Sequence, residues 1–178
     1  MAIMALKPQD VIVALKTALR PGERWTFAEM AHSLGMSASE VHASVGRLVA
    51  AQLLVAQPRG DASRFSVNRA ALLEFLRHGV KYAFAPQRGG VTRGVPTAHA
   101  APPLVKKLAP SDDLPPVWPA PDGSVRGEAF EPLYPSAVVA AKNDDRLYAG
   151  LALIDAIRGG RARERKLAEE LLEKVLAL

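Results

Sequence analysis

Two short amphipathic patterns follow one another between Thr26 and Leu54. In each pattern, apolar side chains recur at the three- and four-residue spacing that places them on one face of an α-helix. The members are Phe27, Met30, Ala31 and Leu34 in the first pattern, and Val41, Val45, Leu48 and Val49 in the second. This spacing predicts two consecutive helices whose apolar faces pack on a common core.

Capping residues indicate where both helices begin. Thr26 stands three residues before Glu29, and Ser37 stands three residues before Glu40. In such a capping box the hydroxyl accepts a backbone hydrogen bond, and the glutamate accepts one from the cap residue in return. Gly35 lies between the two helices, where a left-handed residue commonly ends a helix. The pattern therefore predicts a helix-turn-helix arrangement.

Two strand patterns follow the second helix. The apolar run Leu53–Gln57 and the alternating run Arg64–Val67 flank a turn cluster at 58–61, which predicts a β-hairpin. With this hairpin, roughly the first half of the chain resembles the winged helix-turn-helix transcription regulators of the MarR and IclR type. The residues that carry the resemblance are Ala31, Gly35, Ser37, Ser39, Val41, Val45, Leu48, Leu53–Val55 and Arg59–Arg64.

The resemblance implies a double-stranded DNA-binding surface. Helix 38–51 would read the major groove, and the wing at 58–64 would contact the minor groove or a phosphate. The candidate DNA-binding side chains, expected on the outer face of the helix or in the wing, are Ser37, Ser39, His42, Ala43, Arg47, Arg59 and Arg64. Arginine suits phosphate or guanine, and a helix N-terminus suits phosphate. The alternative interpretation is a solvated helix face and two exposed turn arginines.

The rest of the chain changes in character along its length. A helix is predicted from Pro8 to about Arg20, and another over about 69–82 with Asn68 as its cap. Residues 86–135 contain eleven of the fourteen prolines, and proline is excluded from helix interiors. We expect there an ordered, extended arm that lays apolar residues over a neighbouring surface and lacks long regular elements; simple disorder is the alternative.

Helical patterns return after the arm. Ser136 is the predicted cap of one helix, either Asp144 or Asp145 is the predicted cap of a second, and Gly159-Gly160 precedes a third at 161–178. The cationic run Arg158–Lys166 favours a helix entry with i,i+4 ion pairs over a nucleic-acid site. The third helix has an apolar stripe whose partner is either the body of the protein or a second subunit. Its members are Leu167, Leu171, Val175 and Leu178, widened by Leu172 and Leu176.

Together the patterns predict a mostly α-helical protein with a small β-hairpin wing. The predicted parts are a winged helix-turn-helix DNA-binding domain at 1–82, a proline-rich extended arm at 83–135, and a C-terminal helical region at 136–178. The last region is expected to serve in dimerisation or partner binding.

The charge is basic and unevenly distributed. The 178 residues carry a net charge of +5, and residues 1–82 hold ten Lys/Arg against six Asp/Glu. This excess suits a polyanionic partner. The absence of cysteine excludes disulfides, thiolate metal sites and cysteine nucleophiles. No secretory signal or membrane span is recognised, so we expect a cytoplasmic protein with no membrane partner.

Signals for catalysis are missing. The four histidines have no metal-ligand spacing, and no G-x-S-x-G or Walker pattern occurs. The Gly-rich run Arg88–Thr97 lacks the terminal Lys-Ser/Thr of a phosphate loop. We therefore expect no enzyme activity, no catalytic residue, no metal and no cofactor.

Two functional hypotheses remain. The first is a homodimeric, sequence-specific DNA-binding transcription regulator, most simply a repressor. The second is a protein-interaction adaptor or antitoxin-like partner, in which the winged domain and the proline-rich arm dock a co-encoded protein. The weak basicity of helix 38–51 favours the second hypothesis, whereas the charge of the first 82 residues favours the first.

Overall fold

Three helices and a hairpin form the first part of the computed structural model, which describes residues 5–56 and 65–176. The elements are α1 (Pro8–Leu19), α2 (Phe27–Leu34), α3 (Ala38–Ala50), β1 (Leu54–Ala56) and β2 (Phe65–Val67). β1 and β2 pair antiparallel, with Leu54 opposite Val67. These predicted helices and strands are confirmed. The hairpin tip, with the candidate contacts Arg59 and Arg64, lies outside the described residues.

The local signals set the boundaries of α2 and α3. The Thr26 hydroxyl accepts a hydrogen bond from the Glu29 amide at 3.1 Å, and the Glu29 carboxylate accepts one from the Thr26 amide at 2.7 Å. Ser37 and Glu40 form the same reciprocal pair at 3.2 and 2.8 Å. Gly35 ends α2 with φ of 64°, a left-handed conformation that glycine adopts without steric cost. Both predicted capping boxes are confirmed.

One long helical segment follows the hairpin. It comprises α4 (Arg69–Glu74), a wider π turn (Phe75–Gly79) and α5 (Val80–Ala83). The side chain of Asn68 accepts a hydrogen bond from the Ala71 amide at 3.2 Å. The predicted helix and its cap are confirmed.

A second sheet occupies the proline-rich region. Its strands are β3 (Arg88–Pro96), β4 (Pro116–Pro119) and β5 (Val125–Phe130). β3 pairs antiparallel with β4 and with β5, and β4 pairs parallel with β5, so the three strands close on themselves. As predicted, this region is ordered and extended, and it lays Trp118 and Phe130 on the core. The expectation that it lacks long regular elements is wrong, because β3 spans nine residues and the strands close into a sheet. The prolines of these strands lie at strand ends, where proline is tolerated, and the fold is therefore a mixture of helices and two small sheets.

Three helices complete the chain: α6 (Ala137–Lys142), α7 (Asp145–Gly159) and α8 (Ala162–Leu176). Of the two candidate caps of α7, Asp144 is the one that accepts the capping hydrogen bonds, and Asp145 is the first residue of the helix. The Ser136 side chain makes no capping hydrogen bond to α6. The apolar stripe of α8 packs against the body of the same chain, with Leu172 and Leu176 buried. Of the two predicted partners for this stripe, the structure shows the body; Leu178 lies outside the described residues.

A single hydrophobic core connects these parts. α1 runs through its centre, and Val11–Leu15 are at most 2% exposed. α7 approaches α1 closely because Gly150 has no side chain; an added Cβ would lie 3.0 Å from a Leu15 methyl carbon. Trp118 of β4 and Phe130 of β5 enter the same core. The core therefore continues across both predicted domain boundaries, at 82–83 and 135–136.

Within the core, Asp155 of α7 gathers polar groups from distant elements. Its carboxylate accepts hydrogen bonds from Thr97 Oγ1 at 2.7 Å, Trp118 Nε1 at 2.6 Å and Arg158 Nη1 at 2.7 Å. Arg158 also donates through Nε to the Phe84 carbonyl at 2.8 Å. Burial raises the pKa of Asp155, while the Arg158 charge and the donors act against it. We call this set the Asp155 network; it joins α7 to the second sheet and to the end of α5.

A second ion pair joins α1 to the start of α7. Lys16 Nζ lies 2.5 Å from the Asp144 carboxylate, and both side chains are largely buried. Burial alone raises the pKa of Asp144, but the hydrogen bonds from Lys16 and from the Leu147 amide, together with nearby positive charge, outweigh it. The pKa of Asp144 consequently lies below its ordinary value.

We predict that Asp155→Asn destabilises the protein by about 3–5 kcal/mol, because it leaves the Arg158 charge buried without its partner. Urea unfolding followed by circular dichroism measures this loss. Asp113→Asn is the matched control, since it removes a carboxylate from an exposed ion pair with Arg161. The unfolding midpoint of the control should stay unchanged. Equal midpoints for the two variants would contradict the role of the network.

Candidate nucleic-acid interface

The outer face of α3 is open to solvent. The exposed residues along it are Ala38, Ser39, His42, Ala43, Gly46 and Ala50. The predicted outward positions of Ser39, His42 and Ala43 are confirmed, and neither the second sheet nor the C-terminal helices cover them. The face consists of small, uncharged side chains and one imidazole, so a flat or grooved partner can approach the helix backbone closely.

Arg47 does not belong to this face. Its Nε donates to Asp10 Oδ2 at 2.7 Å and its Nη2 to Asp10 Oδ1 at 2.6 Å, while Nη2 also contacts Ser44 Oγ at 3.2 Å. The Arg47 side chain is 11% exposed and Asp10 is fully buried. The predicted outward direction of Arg47 is wrong because a buried carboxylate on α1 requires a cation, and Arg47 is the cation that supplies it.

The N-terminus of α3 already holds a carboxylate. The Ser37 hydroxyl and amide both donate to Glu40 Oε2 at 2.8 Å, and Tyr134 OH donates to Glu40 Oε1 at 2.7 Å. The hydrogen bonds from the Ser37 backbone, Tyr134 and the Ser37 hydroxyl lower the pKa of Glu40 to about 2. A phosphate at the predicted Ser37 contact would therefore compete with this carboxylate for the positive end of the helix.

An aromatic cluster connects α3 to the hairpin. The Phe27 ring meets the His42 ring edge-on at 5.0 Å between centroids. Phe65 of β2 lies 6.5 Å from Phe27, and Trp25 lies 6.1 Å from both Phe27 and Phe65. These contacts orient His42 on the exposed face. They also hold the base of the hairpin beside α3.

The C-terminal half supports the turn between α2 and α3. α6 packs against α2, and a Cβ added at Gly35 would lie 3.5 Å from the Ser136 Cβ. Tyr134 reaches the first turn of α3 through Glu40. Sequence reasoning missed this support, because Tyr134 and Glu40 are 94 residues apart. It also missed Asp10, although an acid beside the apolar run of α1 was a visible signal for a buried ion pair.

The arginines near the base of the hairpin are mostly engaged in structural contacts. A groove of about 310 Å³ between the end of α1 and β2 is lined by Arg20, Arg24 and Arg69, among others. Arg20 pairs with Glu23 at 3.2 Å, and Arg69 donates to the Ala18 carbonyl at 3.0 Å. Arg24 makes no side-chain hydrogen bond to another described residue. Among the described arginines that line the groove, Arg24 is therefore the one whose guanidinium is uncommitted.

Within 5–56 and 65–176, no three His, Asp or Glu side chains come together as a metal site. Over the same residues, no helix combines the length and apolarity needed to cross a membrane.

We predict that Tyr134→Phe raises the pKa of Glu40, because it removes one donor from the carboxylate. Glu40 contributes stability that is present above its ordinary pKa of 4.5 and is lost as the pH falls towards 2. In the variant this loss should begin at a higher pH. Carboxyl-carbon NMR titration of wild type and variant measures both midpoints.

Glu29 is the internal control for this titration. Its pKa is lowered by the backbone and hydroxyl of Thr26, without a tyrosine. Tyr134→Phe should therefore leave the Glu29 midpoint in place. A shift of both glutamates, or of neither, would show that Tyr134 does not act through Glu40.

The chain matches no family model, no curated protein and no solved structure.

Proposed function

We propose that this protein is a double-stranded DNA-binding transcription regulator of the winged helix-turn-helix type. In this proposal α3 lies in the major groove and the hairpin flanks it. The observation that carries the proposal is the exposed row of Ser39, His42, Ala43 and Gly46, bordered by a hairpin that begins directly after the helix. A major groove admits one α-helix of this kind.

The small side chains of α3 suit close approach to base edges. Ser39 and His42 carry the polar groups that can hydrogen-bond to a base or a phosphate. Ala43 can contact a thymine methyl group. Arg47 acts on this surface only indirectly, because its pairing with Asp10 positions α3 against α1.

Affinity in this proposal comes from cations outside α3. Most hydrogen bonds between proteins and DNA go to the phosphate backbone, and cations dominate affinity. Arg59 and Arg64 of the hairpin tip remain proposed contacts, and Arg24 near its base is a further cation. Affinity should consequently fall with rising salt concentration.

A regulator of this kind would work in the cytoplasm as a homodimer on two half-sites about 34 Å apart, that is, one helical turn. Repression follows most simply if the bound dimer blocks access to a promoter. The apolar stripe of α8 is buried within the chain, so pairing of two copies would use another surface.

A second candidate function is a protein-docking adaptor. The observation that favours it is the absence of any exposed Lys or Arg along α3. An uncharged helical face with small residues can receive a helix or a loop of a co-encoded protein as readily as a DNA groove. In that case the chain would bind its partner without nucleic acid.

We predict that Gly46→Glu weakens duplex DNA binding by tenfold or more, because it places a carboxylate opposite phosphates. Gly46→Gln is the matched control of the same size. Both side chains fit, since an added Cβ at Gly46 meets nothing within 4 Å. Fluorescence anisotropy with a labelled duplex from the region upstream of the gene measures both affinities.

The contrast between glutamate and glutamine separates the two candidate functions. DNA binding requires a large difference between the variants, whereas steric docking of a protein predicts similar effects of both. A wild-type protein that binds no duplex at low salt would reject the DNA proposal. Stoichiometric co-purification of another protein, lost in both variants, would favour the adaptor.

We predict that Arg47→Gln destabilises the protein by about 3–5 kcal/mol, because Asp10 then remains buried without its cation. At a temperature where the variant stays folded, its duplex affinity should remain within about twofold of wild type, since Arg47 makes no base or phosphate contact in the proposal. Urea unfolding and anisotropy measure the two effects. If the variant is as stable as the wild type but binds the duplex much more weakly, Arg47 contacts DNA directly and the prediction is wrong.

A further inference from the structure

Two arginines stand directly opposite each other on the second sheet. Arg93 of β3 and Arg126 of β5 are register partners in the antiparallel pair, and both are exposed. Directly opposed residues of antiparallel strands project to the same side with their Cβ atoms about 5 Å apart. Like charges in this arrangement repel and destabilise the strand pair.

The carboxylates around this pair are committed elsewhere. Glu128, two residues after Arg126, binds Arg88 Nη1 at 2.5 Å. Asp122, in the turn before β5, binds Lys142. Neither Arg93 nor Arg126 has an ion-pair or hydrogen-bond partner for its side chain in the described part of the chain. Two guanidinium groups therefore lie on one exposed strand face, and no carboxylate among the described residues pairs with either of them.

The backbone holds the two arginines in place. Gly94 follows Arg93, and a Cβ there would lie 2.1 Å from the Trp118 carbonyl oxygen. Gly127 follows Arg126, and a Cβ there would lie 2.0 Å from the Pro115 carbonyl oxygen. Both glycines thus permit close backbone packing against β4 and its leading residue. The strand positions that carry the guanidinium groups are fixed before any ligand arrives.

From this juxtaposition we propose that Arg93 and Arg126 form a phosphate-binding site for the backbone of a nucleic acid duplex. Guanidinium groups bind phosphate oxygens through paired N–H donors. Two of them on adjacent strands can bind one phosphodiester or two consecutive ones. The bound anion also removes the repulsion between the two arginines.

The setting favours a polymer backbone over a small phosphate compound. Small-molecule sites are concave, whereas the neighbouring groove of about 450 Å³ is bordered by Arg88, Val91 and Glu128 and does not include the two arginines. An exposed strand face without an enclosing wall suits a phosphate that belongs to an extended surface. This site would supply cationic contacts that α3 lacks, and it lies outside the three-helix unit on which the proposed function rests.

The test uses the full chain and a 20-base-pair duplex of arbitrary sequence at several salt concentrations. The variant is Arg93→Gln with Arg126→Gln. The matched control is Arg146→Gln with Arg163→Gln, which removes the same charge from two exposed arginines on α7 and α8. The first variant should weaken binding by about tenfold, whereas the control should change it by less than twofold.

The salt dependence provides a second readout. The slope of log affinity against log salt concentration should fall by about one to two in the Arg93/Arg126 variant, as one or two phosphate contacts are lost. The slope of the control should stay near that of wild type. Equal affinities and slopes in the two double variants would overturn the assignment, and so would a wild-type protein that binds no duplex.

Melting temperature supplies a control for folding and an independent expectation. At low salt, Arg126→Gln should melt at the same temperature as wild type or higher, because it removes like-charge repulsion. A lower melting temperature would mean that Arg126 supports the fold, and it would overturn the proposed role. The nucleic-acid assignment would also be overturned if inorganic phosphate raised the melting temperature of the wild type while the Arg93/Arg126 variant bound the duplex as tightly as its control.

Failure of this site and failure of the proposed function are distinguishable. If Gly46→Glu matches Gly46→Gln while the Arg93/Arg126 variant loses affinity, groove reading by α3 fails and the sheet site stands. If Gly46→Glu loses affinity while the Arg93/Arg126 variant matches its control, the sheet site fails and groove reading stands.

Discussion

The buried carboxylate of Asp155 is the constraint on which the second half of the molecule depends. A carboxylate away from water is tolerated only when a cation and hydrogen-bond donors surround it. Arg158, Thr97 and Trp118 meet that requirement. Thr97 follows β3 and Trp118 lies in β4. The hydrogen bonds that these two residues donate to Asp155 of α7 therefore also position the two strands. Arg158 extends the same network to the end of α5 through the Phe84 carbonyl.

The same physical rule operates in the first half, where it alters the functional surface. Asp10 of the central helix α1 is fully buried and accepts hydrogen bonds from Nε and Nη2 of Arg47. That pairing fastens α3 to α1, and it also removes the only arginine of α3 from the solvent side. The requirement to neutralise a buried charge has therefore left the exposed face of this helix small and uncharged. The Arg47 side chain that neutralises Asp10 is therefore not available to contact a binding partner.

The second sheet shows the opposite arrangement of charge. Arg93 and Arg126 are exposed register partners, and neither forms an ion pair with another residue of the described ranges 5–56 and 65–176. The exposed face of α3, which carries no Lys, Arg, Asp or Glu side chain, and the exposed pair of arginines are complementary features. In the proposed function, α3 reads the base edges of the duplex and the arginine pair binds its phosphates. The Tyr134 contact at the start of α3 joins the C-terminal half to this surface.

The sequence by itself determined the features that arise within four residues along the chain. The capping boxes at Thr26 and Ser37, the left-handed Gly35 and the caps Asn68 and Asp144 all follow from local hydrogen bonding and backbone sterics. The hairpin strands and the outward positions of Ser39, His42 and Ala43 follow from local periodicity.

Only the tertiary structure decided which distant groups meet. Arg47 turns inward because Asp10, 37 residues away, is buried beside it. The helical repeat of apolar residues carries no information about a contact between residues so far apart in the sequence. Proline content suggested an extended arm, yet Pro96, Pro116 and Pro119 lie at strand ends, where a missing amide donor does no harm. The position of Arg93 opposite Arg126 depends on the register of β3 and β5, which pair directly although β4 lies between them in the sequence. Such contacts depend on the tertiary fold of the whole chain, and sequence patterns within a few residues do not encode them.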